Sequence, residues 1–163
     1  MKKLLLLLLI VCVHSVSGQD AKTEINKQVW SVFIDAFNKF DTDRFMSVYS
    51  KSVIRVPLDE KKILNYDEYR KNINREYQFN KNYNIKAKME LRFTERIYSN
   101  AKAYEKGIFK IELIDNNGKP MTLYNTFQVL LNKESGTWKI VFDSDSSEGS
   151  TLSEKDFQAA QPL

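Results

Sequence analysis

An α+β domain, with helices first and then a curved antiparallel sheet carrying them on one face, is the fold class this sequence predicts. Three observations carry it. Apolar residues recur at helical spacing over residues 22–40 and again over 65–79. From residue 83 onward the pattern changes to long alternating stretches, at 85–97, 101–114, 120–131 and 137–145. Those stretches are separated by "SN", "NNG" and "KESG", turn sequences that join neighbouring antiparallel strands.

The chain has 163 residues, enough for one domain with a real core. Ten Phe, eight Tyr and two Trp against five Gly and three Pro favour a compact fold with long elements over a disordered chain. The first 18 residues are of another kind. "MKK" is basic, "LLLLLLIVCV" apolar and "HSVSG" small, the order of a secretory signal peptide. The apolar run is too short for a membrane span. Cleavage after Ser17 or Gly18 is expected, followed by export to the periplasm or the medium, with no membrane attachment of the mature chain. Removal takes Lys2 and Lys3 and leaves 23 basic against 21 acidic side chains, a net +2. That charge is scattered, so a nucleic-acid partner is not expected. The only Cys, Cys12, and the only His, His14, leave with the signal, and with them thiol, imidazole and Cys/His-metal chemistry. No cofactor is expected.

The elements follow in order. In "KTEINKQVWSVFIDAFNKF", Ile25, Val29, Val32 or Phe33, Ala36 or Phe37, and Phe40 line one helix face. Asp41 caps a second short helix that points Phe45, Met46 and Tyr49 inward. "SVIRVP", 52–57, is β-branched and stops at a proline, hence a short strand. Residues 65–79 form a helix with Tyr66, Tyr69, Ile73 and Tyr77 as its stripe. The domain is expected to run from 19 to 145. Residues 146–163 are read as a flexible Ser-rich and acidic tail, with Ser153 and Asp156 capping a final helical turn. The offsets of Asp143, Asp145, Ser147 and Glu154 imitate a calcium loop, but Glu148 stands where such a loop needs glycine, which favours the tail.

Register can be tested, because a one-residue slip turns a strand's apolar face outward. A three-residue loop at 116–118 with left-handed Gly118 sets Leu113 opposite Met121, Ile111 opposite Leu123, Phe109 opposite Asn125 and Gly107 opposite Phe127. The same parity sets Glu105 beside Phe93 and Asn125 near Ser144. Glu95, Glu105, Asn125 and Ser144 then interrupt one apolar face. Burying such groups costs about 2 kcal/mol or more each unless they are paired or wet, so the pattern marks either a polar-lined cavity or a buried bridge to Arg55. Tyr104, Ile108, Tyr124, Leu130 and Val141 lie on the opposite face, the expected homodimer surface.

The long helix "VWSVFIDAFNKFDTDRFMSVYS", the strand "VIRVP", the helix around "NYDEYRKNI", the strand "AYEKGIFKIEL" and the ending "GTWKIVFDSD" come in the order of the nuclear-transport-factor-2-like superfamily. Over residues 22–145 the chain resembles that superfamily's SnoaL-like and ketosteroid-isomerase-like branch, in members of unknown function. The resemblance implies a cone, a curved antiparallel sheet wrapped around the long N-terminal helix, with a pocket at its open end. It implies dimers through the sheet. It also implies isomerase, cyclase or dehydratase activity in some members and binding alone in others.

In the isomerase branch the base lies on or near the first strand, where this chain offers Arg55 and no acid. The dehydratase His–Asp pair has no histidine here once the signal is gone. The expected function is therefore an exported domain binding an unidentified small organic molecule. Arg55 would hold an anionic group, Glu105 and Asn125 would orient the molecule, and Phe93, Phe109 and Trp138 would supply apolar contact, with Glu95, Tyr49 and Tyr66 as further candidates for the lining. The alternatives are an isomerase- or cyclase-type enzyme, with Glu105 as base and Tyr49 or Tyr66 as acid, and a protein-interaction module.

Overall fold

The computed structural model describes residues 18–115 and 117–163. Residues 1–17 of the expected signal, Cys12 and His14 among them, lie outside the described residues, as does Asn116 of the predicted loop. The chain opens with α1 (Gly18–Ile25), a π turn (Asn26–Trp30) and α2 (Ser31–Asn38), one helical path with a wider turn in its middle. The Ser31 amide donates to the Asn26 carbonyl there, one residue further back than in an α-helix. Then come α3 (Thr42–Met46), β1 (Tyr49–Pro57), α4 (Tyr66–Asn82), β2 (Lys86–Tyr98), β3 (Lys102–Ile114), β4 (Pro120–Glu134) and β5 (Thr137–Ser146).

Local chemistry sets the helix starts. The Asp41 carboxylate accepts from the Arg44 amide at 3.0 Å, the expected cap of α3. Asn65 caps α4 by accepting from the Asp67 and Glu68 amides, and the Glu68 carboxylate accepts from the Asn65 amide in return. Such caps stabilise a helix start by about 0.5–2 kcal/mol.

Among the described residues the sheet has six strands in the order β1-β5-β4-β3-β2-β6, where β6 is Gln161–Pro162. It curves without closing and holds the helices on its concave face, the predicted α+β cone. β2 to β5 form the expected antiparallel meander, and the β3–β4 register pairs Leu113 with Met121, Ile111 with Leu123, Phe109 with Asn125 and Gly107 with Phe127. Gly118, at φ 74°, takes the predicted left-handed turn position. β1 departs from the antiparallel expectation and runs parallel to β5. Trp30, on the π turn, sits at the centre of the core, its ring 5.6 Å from Phe93 and 5.4 Å from Phe127.

Register shifts occur in three places: in β1 between Tyr49 and Ile54, and at two bulges of the meander that change its faces. In β2 the ladder shifts between Phe93 and Glu95, so Arg96, not Glu95, stands opposite Glu105. Gly107 makes this possible: a Cβ on it would lie 2.0 Å from the Arg92 carbonyl and 2.8 Å from the Phe127 ring. In β5 the ladder shifts between the partners of Leu130 and Leu131, so Asp143 and Asp145 face inward while Phe142 and Ser144 face outward. One row of the concave face therefore reads Arg55, Asp143, Val129, Glu105, Arg96 across five strands.

The segment read as a flexible tail is packed. After a 3₁₀ turn (Glu148–Ser150) it forms α5 (Glu154–Ala159), with Ser153 and Asp156 bonded at its start as predicted, and β6 (Gln161–Pro162), which pairs with Arg92 and Phe93 of β2. Its apolar residue Phe157 is fully buried, which a polar composition hides in a sequence reading. Among the described residues no helix is long and apolar enough to cross a membrane.

Candidate functional site

A cavity of about 270 Å³ opens between the concave face, α2 and α4. Its apolar wall comes from Phe33 and Phe37 of α2, Phe45 of α3, and Met89, Phe109 and Ile111 of the sheet. Its polar wall is built on β1 and β5. Arg55 is fixed at both ends. Its backbone bridges to Leu64, donating and accepting at 2.9 and 2.8 Å. Its guanidinium reaches Asp145 at 2.7 Å and lies 3.7 Å from Asp143. Parallel pairing puts Arg55 directly beside Asp143, so the ion pair follows from strand register.

The second layer is aromatic. Tyr49 donates to Asp143 at 2.8 Å, the Tyr69 hydroxyl lies 3.4 Å from that of Tyr49, and the Arg55 guanidinium carbon sits 5.2 Å from the Tyr69 ring centre. Burial pushes both tyrosines up, so they are neutral donors. Burial opposes the Arg55 charge, but Asp143 and Asp145 more than offset it and hold the guanidinium protonated. Although Arg55 is 7% exposed, its Nε and Nη1 have no hydrogen-bond partner. Asn125 and, at the mouth, Glu76 complete the polar wall.

Asp145 has its carboxyl raised above 3.8 by burial, with Arg55 pulling it down and Asp143 pushing it up. The groups that face it are Arg55 on β1, Asp143 on its own strand, Asp59 in the following turn and Glu76 on α4. The native state therefore holds this proton more tightly than the unfolded chain does. Its contribution to stability is complete below about pH 3.8 and is lost as pH rises through the raised value. Urea melts from pH 3 to 7 should show Asp145→Asn lacking that part of the decline, so that the variant gains on the parent as pH rises. A difference that is constant over this range would contradict the burial argument.

The sequence-predicted residues separate. Arg55, Phe109 and Asn125 line the cavity, and Tyr49 stands directly behind it. Glu105 is 0% exposed inside the core, bonded to Trp30, Arg96 and Tyr98, and does not line this cavity. Glu95 is turned to solvent by the β2 bulge. Gly107, not Glu105, stands opposite Phe93, and Ser144 pairs with Gln128 on the outer side rather than with Asn125. Phe93 is a core neighbour of Trp30. Tyr66 is buried under Lys51, 3.7 Å above its ring, with its hydroxyl toward the Met46 carbonyl. Trp138 closes the other end of the cone through Glu24, at 2.8 Å, and Gln28. A base assigned to Glu105 would have no free oxygen to offer. Asp143, Asp145, Tyr69 and Glu76 are not among the cavity residues that the sequence predicts: unbroken alternation turns the first two outward, and Tyr69 reads only as part of a helix stripe.

A cone with a half-apolar, half-ionic cavity at its open end is the class this geometry defines. No family model and no curated protein matches the sequence. Solved structures do match in fold. A nuclear-transport-factor-2-like protein of unknown function from Shewanella oneidensis is 22% identical, with a TM-score of 0.59 over 77% of this chain and 98% of its own. A ketosteroid isomerase-like protein from Erwinia carotovora is 15% identical, with a TM-score of 0.56 over 76% and 95%. The association domain of C. elegans CaMKII is 15% identical, with a TM-score of 0.60 over 79% and 97%. The chain thus has the nuclear-transport-factor-2-like fold, as its order of elements implied.

Proposed function

We propose that the mature chain is an exported domain that binds a small organic molecule in the cavity at the open end of the cone. The observation that carries this is Arg55, buried, fixed by β1 and β5, and lining the cavity with Nε and Nη1 free of hydrogen bonds. Buried side-chain donors in folded proteins are mostly satisfied, so donors left open beside a cavity favour a role in binding. The neighbouring aromatic rings supply the apolar contact that such sites use. Export rests on the basic, apolar and small-residue order of the first 18 residues.

A second reading, homodimerisation through the outer face, has its own support. Ile54, Phe142, Leu130, Tyr104 and Ile97 are consecutive cross-strand partners, an apolar row across five strands, and Ile54, Leu130 and Ile97 are about half exposed. One fold neighbour is an association domain. Native mass spectrometry of protein purified from its own source tests both readings. The expected result is a two-subunit species lacking residues 1–17 or 1–18 and carrying a small adduct that leaves on unfolding. An adduct-free monomer starting at Met1 would refute all three expectations.

A further inference from the structure

We propose that the ligand of this cavity is a cationic amine on an apolar body, not the anion that an arginine suggests. The inference rests on the binding reading above and names the class of molecule that the site takes.

The charges lining the cavity decide it. They are one guanidinium, Arg55, and four carboxylates, Glu60, Glu76, Asp143 and Asp145. Glu60 has its own partner in Lys62 at 2.8 Å. Arg55 is shared between Asp143 and Asp145, so its charge is already answered inside the wall. One cation then stands against three carboxylates. An anion entering to reach Arg55 would meet Asp143 and Asp145, 3.7 and 2.7 Å from the guanidinium, with Glu76 on the same lining, and like charges so close repel strongly in a partly dry site.

An ammonium entering meets the reverse. Asp145 and Glu76 attract it, and the rings of Phe33, Phe45 and Phe109 in the lining give apolar surface to the body. The unpartnered Nε and Nη1 of Arg55 remain available to an acceptor oxygen on the same molecule. They show that the wall is built to receive a polar atom, which an acidic cluster alone would not show.

Three probes of one shape separate the possibilities: 2-phenylethylamine, phenylacetate and 2-phenylethanol. Binding is read by NMR from the side-chain signals of Arg55 Nε and the Asn125 amide, which report the site itself. The amine should shift these signals with a Kd at least about ten-fold below that of phenylacetate, a difference one uncompensated charge supplies at this range. Asp145→Asn should weaken the amine by about ten-fold and leave the alcohol unchanged. Glu76→Gln, at the exposed mouth, gives the same comparison should Asp145→Asn not fold. If phenylacetate or the alcohol shifts the signals at equal or lower Kd, the amine assignment is overturned while the binding cavity stands. If no probe moves either signal, the cavity reading itself is overturned.

Discussion

Glu105→Gln is expected to lower the folding free energy by about 3–5 kcal/mol, the range for removing one partner of a buried ion pair. The carboxylate is wholly inside the core and has donors on both oxygens. Trp30 Nε1 donates to Oε2 at 2.6 Å; Arg96 Nε at 2.7 Å and the Tyr98 hydroxyl at 2.8 Å donate to Oε1. A glutamine of the same shape has one acceptor and one donor end. Whichever way it turns, its NH₂ faces another donor, and Arg96 keeps a buried charge with no counter-charge against Glu105. The Arg96 guanidinium also packs 3.8 Å over the Phe93 ring and bonds Asn26 on the π turn. The loss therefore reaches both the helix and the sheet. The midpoint of urea unfolding should fall with its slope unchanged. A loss within about 1 kcal/mol would mean that the network is wetter than its burial indicates. Because Glu105 does not line the cavity, the folded fraction of this variant should bind cavity probes with the parent's Kd. That separates it from Asp145→Asn.

The helices, the meander and the β3–β4 register were legible because periodicity and turn chemistry are local signals. Asp41 before "TDRF" and Gly118 after "NN" state their roles within four residues. The site was half legible. Arg55 and Phe109 lie in stretches whose sequence alternates regularly, and alternation puts them on the right face even though β1 shifts register between Tyr49 and Ile54. Asp143 and Asp145 lie beyond a bulge, and one inserted residue reverses the face of everything after it. The bulge in β5 has no glycine to announce it. The bulge in β2 has one only across the ladder, at Gly107, whose missing Cβ leaves room for the Arg92 carbonyl. Glu95 and Arg96 exchange faces for that reason. The parallel pairing of β1 with β5 is likewise a tertiary fact, and it alone brings Arg55 beside Asp143.

Phe157→Ala is expected to release the C-terminal strap and leave the cone folded. Phe157 is fully buried between the Arg92 guanidinium at 5.1 Å, the Lys110 ammonium at 5.5 Å and the Tyr124 ring at 6.2 Å. Truncating such a side chain costs about 3–5 kcal/mol. What else holds the strap is polar and mostly exposed: two ladder positions on β2, Arg92 to the Ala160 carbonyl at 3.2 Å, Tyr124 to Glu154 at 2.7 Å, Lys110 near Glu154 at 3.6 Å, Thr126 to Glu148 at 3.0 Å and the Ser147 amide to Asp59 at 2.8 Å. Exposed polar contacts of this kind contribute about 1 kcal/mol or less each. A segment held mainly by one ring opens locally once the ring is gone, while the core under the concave face is untouched. Hydrogen exchange should show amides 147–163 losing protection while those of β3 and β4 that face the core keep theirs. A global loss of about 3–5 kcal/mol with the strap still protected would make it part of the cooperative core instead. The same variant separates two surfaces on the outer face. The strap lies over the part of the sheet holding Arg92, Lys110 and Tyr124, whereas the apolar row from Ile54 to Ile97 lies nearer the other end of these strands. Release of the strap should therefore leave the subunit count of the parent intact. A rise in subunit count would mean that the strap, by covering Ile108 and its neighbours, is what keeps that part of the sheet from pairing with another chain.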